Sequence, residues 1–310
     1  NTIPGGTMKQ KIITISLAAV MFLLALGLTL YPIISNNYNE KHQSEIHTAY
    51  QKQVAQAEAA EITEARELAI AYNESIVPGV QMADAFSNEA LLWASEDYES
   101  QLNLTGNGIM GYVEIPGISV TLPIYHGTDA DTLEIGIGHL LGSSLPVGGN
   151  GTHAIITGHS GLATQKMFTD LEQLMEGDVF YIHVLGEVLA YQVFSAEPVL
   201  PHNTSKLTIR QNEDLCTLIT CYPTGINTHR LLVQGKRIPY EEAEVIVEEI
   251  VTQEAKPESN WEDQYMLGLW LGIWAMLLAL AIYLSVLLIQ RTRAKKRGGR
   301  YARKKETKRQ

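Results

Sequence analysis

Two uncharged apolar runs bracket this chain and constrain its architecture more than any other feature. Residues 12–30 and 266–289 lack charged side chains, and each is near the roughly 20 residues that a bilayer-spanning helix needs. Lys9 and Lys11 precede the first run; eleven Lys and Arg, against the single acid Glu306, follow the second. Basic flanks stay on the cytoplasmic side, so both termini are expected inside and the stretch between the runs outside. Setting aside these thirteen basic residues and Glu306 leaves ten basic and 33 acidic residues, a formal charge of −23, in the outer part. Such a surface excludes nucleic acid as an expected partner; the basic tail reads as a topology signal rather than an RNA-binding arm. The first run also has a short basic start and small residues at Ala25 and Gly27, as a cleaved signal peptide would. Its length favours a retained anchor.

The outer part holds only two cysteines, Cys216 and Cys221, so its stability must come from an apolar core rather than from disulfides. Residues 36–75 contain no Gly or Pro. Ile46, Tyr50, Val54, Ile62, Ala65, Leu68 and Ala69 recur there near helical spacing. This predicts a helical stalk or a helix laid on the domain, stopped by Pro78-Gly79. From Gly111 the texture changes to short β-rich runs at 112–115, 120–124, 153–157, 179–184, 188–196, 215–221 and 230–238. Such runs, separated by turn residues, predict a barrel or sandwich. A short helix is expected over 166–175, and an acidic connector follows Tyr240.

Cys221 closes the run Thr217-Leu218-Ile219-Thr220-Cys221, with His159 upstream in Thr157-Gly158-His159 and Arg230 nine residues downstream. A thiol becomes a strong nucleophile as thiolate, which a neighbouring cation favours. An imidazole carries protons and a guanidinium stabilises an oxyanion. Side chains alternate along a strand, so Thr217, Ile219 and Cys221 share one face and Cys216, Leu218 and Thr220 the other. Cys216 is then the buried core thiol, and the two sulfurs point apart. His126, His139 and His153 read as structural histidines, and His229 is expected to face away from Arg230. Metal-ligand spacing is absent, so neither a metal nor a cofactor is expected.

These segments resemble the sortases, and more narrowly the class C, pilus-assembling sortases of Gram-positive bacteria. The resemblance rests on Gly111-Tyr112-Val113-Glu114-Ile115-Pro116, Leu122-Pro123-Ile124-Tyr125-His126-Gly127-Thr128, Gly138-His139-Leu140, Ser144-Leu145-Pro146-Val147-Gly148-Gly149, Thr157-Gly158-His159-Ser160-Gly161 and Thr217–Cys221. It implies a mainly β fold with flanking helices: an eight-stranded barrel, an N-terminal helical segment, a lid and two transmembrane helices. It also implies a transpeptidase that cuts an LPXTG-like signal between Thr and Gly and passes the acyl group to a lysine of another pilin. Cys221 would be the nucleophile, His159 the general acid and Arg230 the oxyanion group; partners would be pilin subunits and the membrane lipid bilayer. Cell-wall anchoring, hydrolysis and non-catalytic scaffolding are the alternatives. A lid motif of Asp, Pro and an aromatic is matched by Asp84-Ala85-Phe86, with Ala85 where proline is usual and a less rigid loop in consequence. Asp84 would pair with Arg230 while Phe86 shields the Cys221 sulfur.

The expected organisation is therefore a cytoplasmic N-terminus (1–11), a membrane helix (12–30), an extracellular helical segment (31–77), a lid loop and connector (78–102) and a catalytic barrel (103–240). An acidic connector (241–265), a second membrane helix (266–289) and a basic cytoplasmic tail (290–310) complete it.

Overall fold

A computed structural model describes residues 8–77, 82–87, 96–162, 164–253, 267–278 and 283. The chain divides into two units, Asn1–Glu258 and Ser259–Gln310. In the first unit the apolar N-terminal run and the first half of the predicted stalk form one helix, α1 (Met8–Gln56), which continues through Pro32. Among the described residues, one helix is long and apolar enough to cross a membrane: Ser16–Gln56, whose most apolar 18-residue stretch has a mean hydropathy of 2.3. That helix is compatible with membrane anchoring. In the second unit Leu267–Leu278 is a shorter apolar helix; most of the remainder of the expected second span lies outside the described residues.

The predicted helix over 36–75 is two helices, because Glu58 is extended between α1 and α2 (Ala59–Ser75). The break separates two apolar stripes. Tyr50 and Val54 on α1 pack with Ile109, Tyr112 and Tyr125, whereas Ala69 on α2 is fully buried in the main core with Ile62, Ala65 and Tyr72 beside it. Tyr50 Oη donates to the Met110 carbonyl (3.1 Å) and accepts from the Leu185 amide (3.1 Å). The helices thus lie on the domain rather than standing away from it as a stalk. Leu68, expected on the packed face, is 54% exposed.

Eight strands close a barrel in the order β1-β2-β3-β4-β7-β8-β6-β5: β1 (Ile109–Ile115), β2 (Val120–His126), β3 (Ile137–His139), β4 (Thr152–Thr157), β5 (Val179–Val184), β6 (Glu187–Val199), β7 (Asp214–Tyr222) and β8 (His229–Ile238). Three further α-helices are found among the described residues of this unit: α3 (Glu96–Ser100), α4 (Ala130–Ile135) between β2 and β3, and α5 (Tyr240–Gln253) after β8. Seven of the strands coincide with β-rich runs read from the sequence. The eighth, β3, is too short for a period-2 signal. The helix expected over 166–175 is a shorter 3-10 turn at Thr169–Gln173.

Alternation around β4, β7 and β8 sorts side chains into two layers. Ala154, Ile156, Cys216, Leu218, Leu231 and Val233 join the barrel interior. Ile155, Ile219 and Leu232 face a second apolar layer with Leu140, Val199 and Leu207.

Two histidines brace this wall. His139 is fully buried; its Nδ1 accepts from Tyr98 Oη (2.9 Å) while Nε2–H donates to the Ser144 carbonyl (2.8 Å). His153, also fully buried, donates from Nδ1 to the Thr208 carbonyl (3.0 Å) and accepts at Nε2 from Thr217 Oγ1 (2.6 Å). Each ring uses one donor and one acceptor, which suits the neutral form. Burial pushes both pKa values down to about 4.

Candidate active site

Strand direction brings distant residues to one end of the barrel. β4 and β7 run parallel with Thr157 beside Ile219, so two further residues along the same register place His159 next to Cys221. The Gly158 amide donates to the Ile219 carbonyl (3.0 Å). Ser160 Oγ donates to the Cys221 carbonyl (2.7 Å), extending the connection past the strand end. β8 runs antiparallel to β7, and Arg230 lies directly across from Cys221. Residues 159, 221 and 230 therefore share the barrel's outer face with Ile155, Ile219 and Leu232. Cys216 points into the core, as its face predicted, and both cysteines are free.

The segment around Asp84 covers this face. Ala85 is 2% exposed and packs into the second apolar layer, with Met82, Ala83 and Phe86 at its edge. Asp84 Oδ1 accepts from Arg230 Nε (2.9 Å) and Oδ2 from an Arg230 terminal nitrogen (2.7 Å), so the carboxylate occupies the guanidinium fork. Both side chains are mostly buried, a setting in which a bidentate pair is stronger than a surface one. The Phe86 ring centroid lies 4.8 Å from the guanidinium carbon and 5.7 Å from the centre of the His159 ring. Phe86 thus contacts the guanidinium and the imidazole, which the sequence reading had not anticipated.

Burial sets the resting charges. It raises the Cys221 thiol above its ordinary pKa; Arg230 opposes that shift and Asp84 reinforces it. Burial also lowers the His159 imidazole, against the charge of Glu134. A neutral thiol beside a neutral imidazole is the resting state these directions describe. Cys216 is pushed up much further by complete burial, and is correspondingly inert. The His229 ring contacts Thr228 Oγ1 at 3.0 Å.

Sequence reasoning missed the role of Ala85, whose burial replaces the stiffness of a proline with apolar anchoring. It also missed Ser160, since a serine hydroxyl that bonds a distant backbone carbonyl has no spacing signature. Gly158 illustrates a third constraint. A Cβ there would stand 2.7 Å from the Phe168 ring and 2.8 Å from Ile137 Cγ2, and both neighbours are fully buried. Gly158→Ala is expected to cost roughly 1–3 kcal/mol, as overpacking does, and to displace His159. A thermal melt should show the loss; an unchanged melting temperature would contradict the tight packing.

A family profile described as "Sortase domain" matches residues 113–238. Sortase D of Bacillus subtilis (strain 168) is 33% identical over 131 residues, covering 41% of this chain and 63% of the relative. The chain spans 52–63% of the length of the curated relatives it matches. Among solved structures, sortase C-1 from Streptococcus pneumoniae is 46% identical with a TM-score of 0.59, covering 63% of this chain and 99% of that one. A pilus-related sortase C of Group B Streptococcus is 38% identical with a TM-score of 0.56, covering 62% and 96%. With a closed eight-stranded barrel that superposes on class C sortases over nearly their whole length, this chain belongs to the sortase family.

Proposed function

We propose that this protein is a membrane-anchored cysteine transpeptidase that polymerises pili. The observation that carries the reading is the convergence of Cys221, His159 and Arg230 on one outer face, with the guanidinium fork already holding a carboxylate. A fork shaped for carboxylate oxygens also suits the oxyanion of a tetrahedral intermediate. Cys221 Sγ passes its proton to His159 and, as thiolate, attacks the Thr carbonyl of an LPXTG-like signal, while Arg230 stabilises the oxyanion. His159 donates its proton to the departing Gly amine as the Thr–Gly bond breaks, leaving a thioester. The neutral lysine amine of a second pilin then attacks the thioester and gives up a proton to His159, forming an isopeptide bond and releasing the thiolate.

Asp84 and Phe86 form the lid in this scheme. While Asp84 occupies the fork and Phe86 lies against His159, neither group serves a substrate; displacement frees both and hydrates the thiol. The basic flanks support an outward-facing catalytic domain with both termini in the cytoplasm, arranged in the segments set out above.

The full chain, incubated in detergent with a signal-bearing pilin, is expected to yield covalent multimers, and Cys221→Ala none. Multimers that persist in Cys221→Ala would overturn the catalytic assignment. Thioacyl adduct without multimers would point to wall anchoring or hydrolysis.

A further inference from the structure

The membrane-anchor helix reaches the loop that follows His159. That loop closes on its own start, with the Phe168 amide donating to the His159 carbonyl at 3.0 Å. Met167 and Phe168 are buried at its far end. Between the two ends Leu162 packs on the core, and polar contacts hold the residues that follow it. Asn39 Nδ2 on α1 donates to the Thr164 carbonyl (3.0 Å), and Gln165 Nε2 donates to the Glu134 carbonyl of α4 (2.7 Å). Gln43 Nε2, one turn beyond Asn39 on the same helix, donates to the neighbouring Ile135 carbonyl (2.6 Å). Helix α1, the end of α4 and the His159 loop are thereby joined in one hydrogen-bonded triangle.

Beside this triangle lies a half-open groove of about 360 Å³, lined by Asn39 and Gln43 of α1, Val120 and Leu122 of β2, and Gln165 and Lys166 of the loop. None of the α1 residues on that groove is apolar, whereas further along α1 Tyr50 and Val54 are buried in an apolar cluster. Gln43 is nonetheless only 8% exposed. A buried amide destabilises unless it is bonded, so the loss of its bond to Ile135 is costly. Asn36 lies six residues past the apolar run that ends at Leu30, a rise of about 9 Å.

Building on the assignment of His159 as proton carrier, we propose that α1 is a positioning element of the active site, with Asn39 and Gln43 as positioning residues that hold the His159 loop. The anchor then does more than tether the enzyme. The ring faces a crowded, charged surround: α4 brings Glu134, β7 Cys221, β8 Arg230 and the covering segment Asp84, none of which the variants below alter. Releasing the loop hydrates the imidazole and returns its pKa toward the ordinary value from below.

The test uses the full chain in detergent micelles and a soluble sorting-signal peptide with an amine acceptor. Asn39→Ala with Gln43→Ala is expected to lower kcat about tenfold, the loss of two hydrogen bonds, with KM for the peptide unchanged. In the same variant the NMR titration midpoint of His159 should rise. Gln51→Ala is the control, because it removes another α1 bond, to Tyr112 Oη (2.9 Å), away from the loop; its kcat and titration should match the parent. A double variant with parental kcat and midpoint overturns the proposal, as does an equal loss in Gln51→Ala. His159→Ala separates the two levels: parental kcat there would overturn the proton-carrier assignment itself, whereas its loss beside a parental double variant overturns the positioning role alone.

Discussion

Phe86→Ala is expected to speed alkylation of Cys221 about tenfold at neutral pH. The ring's contact with the Arg230 guanidinium is a partly desolvated cation–π pair, of order 1–2 kcal/mol, and 1.4 kcal/mol is a factor of ten in the open population. Hydration adds to the effect, since burial is the largest cause of the raised thiol pKa and the thiolate is the reactive species. Asp84→Ala acts through charge: it removes the carboxylate that raises the thiol pKa and leaves the opposing guanidinium in place. The pH midpoint of labelling should therefore fall in Asp84→Ala. Cys216, 1% exposed, is an internal control, because its alkylation would report unfolding rather than uncovering. Labelling of Cys221 at parental rates in both variants would remove the lid from the account.

Acid should destabilise the barrel through His139 and His153. Their folded pKa values of about 4 lie below the ordinary 6.5, so the unfolded chain binds more protons in the interval between. Stability is then flat above about pH 6.5 and falls as pH drops toward 4. Each histidine contributes about 3 kcal/mol to that loss at 1.36 kcal/mol per pKa unit. Urea unfolding of the outer domain at a series of pH values measures the slope. Replacing both histidines with glutamine should lower stability at pH 7 yet flatten the dependence below it. A parent protein equally stable at pH 7 and pH 4.5 would contradict the neutral, buried assignment.

What was legible in the sequence was mostly periodic. The two faces of 215–221 follow from strand alternation, and they separate Cys221 from Cys216 by sequence alone. Tyr50 and Val54, and then Ile62, Ala65 and Ala69, were readable as packed helical stripes. The extended Glu58 between them was not, because neither Gly nor Pro marks the break. β3 escaped because three residues carry no period, and its place depends on β2 and β4 on either side. Ala85 was read by what it lacked; its burial beneath a layer assembled from Leu140, Ile155, Val199, Leu207, Ile219 and Leu232 is tertiary, and no local pattern encodes it. Asn39 and Gln43 were invisible for the same reason, being ordinary polar residues of a long helix until the His159 loop meets them.

Central to the proposed function is Cys221 as the acyl carrier beneath a displaceable cover. Its most direct test is to mix the Phe86→Ala full chain with a peptide bearing an LPXTG-like signal and map the acidified protein by mass spectrometry. The predicted result is a peptide fragment ending at Thr, attached to Cys221 and discharged when a lysine amine is added. No adduct in the uncovered enzyme, or the same adduct in a chain that also carries Cys221→Ala, would contradict it.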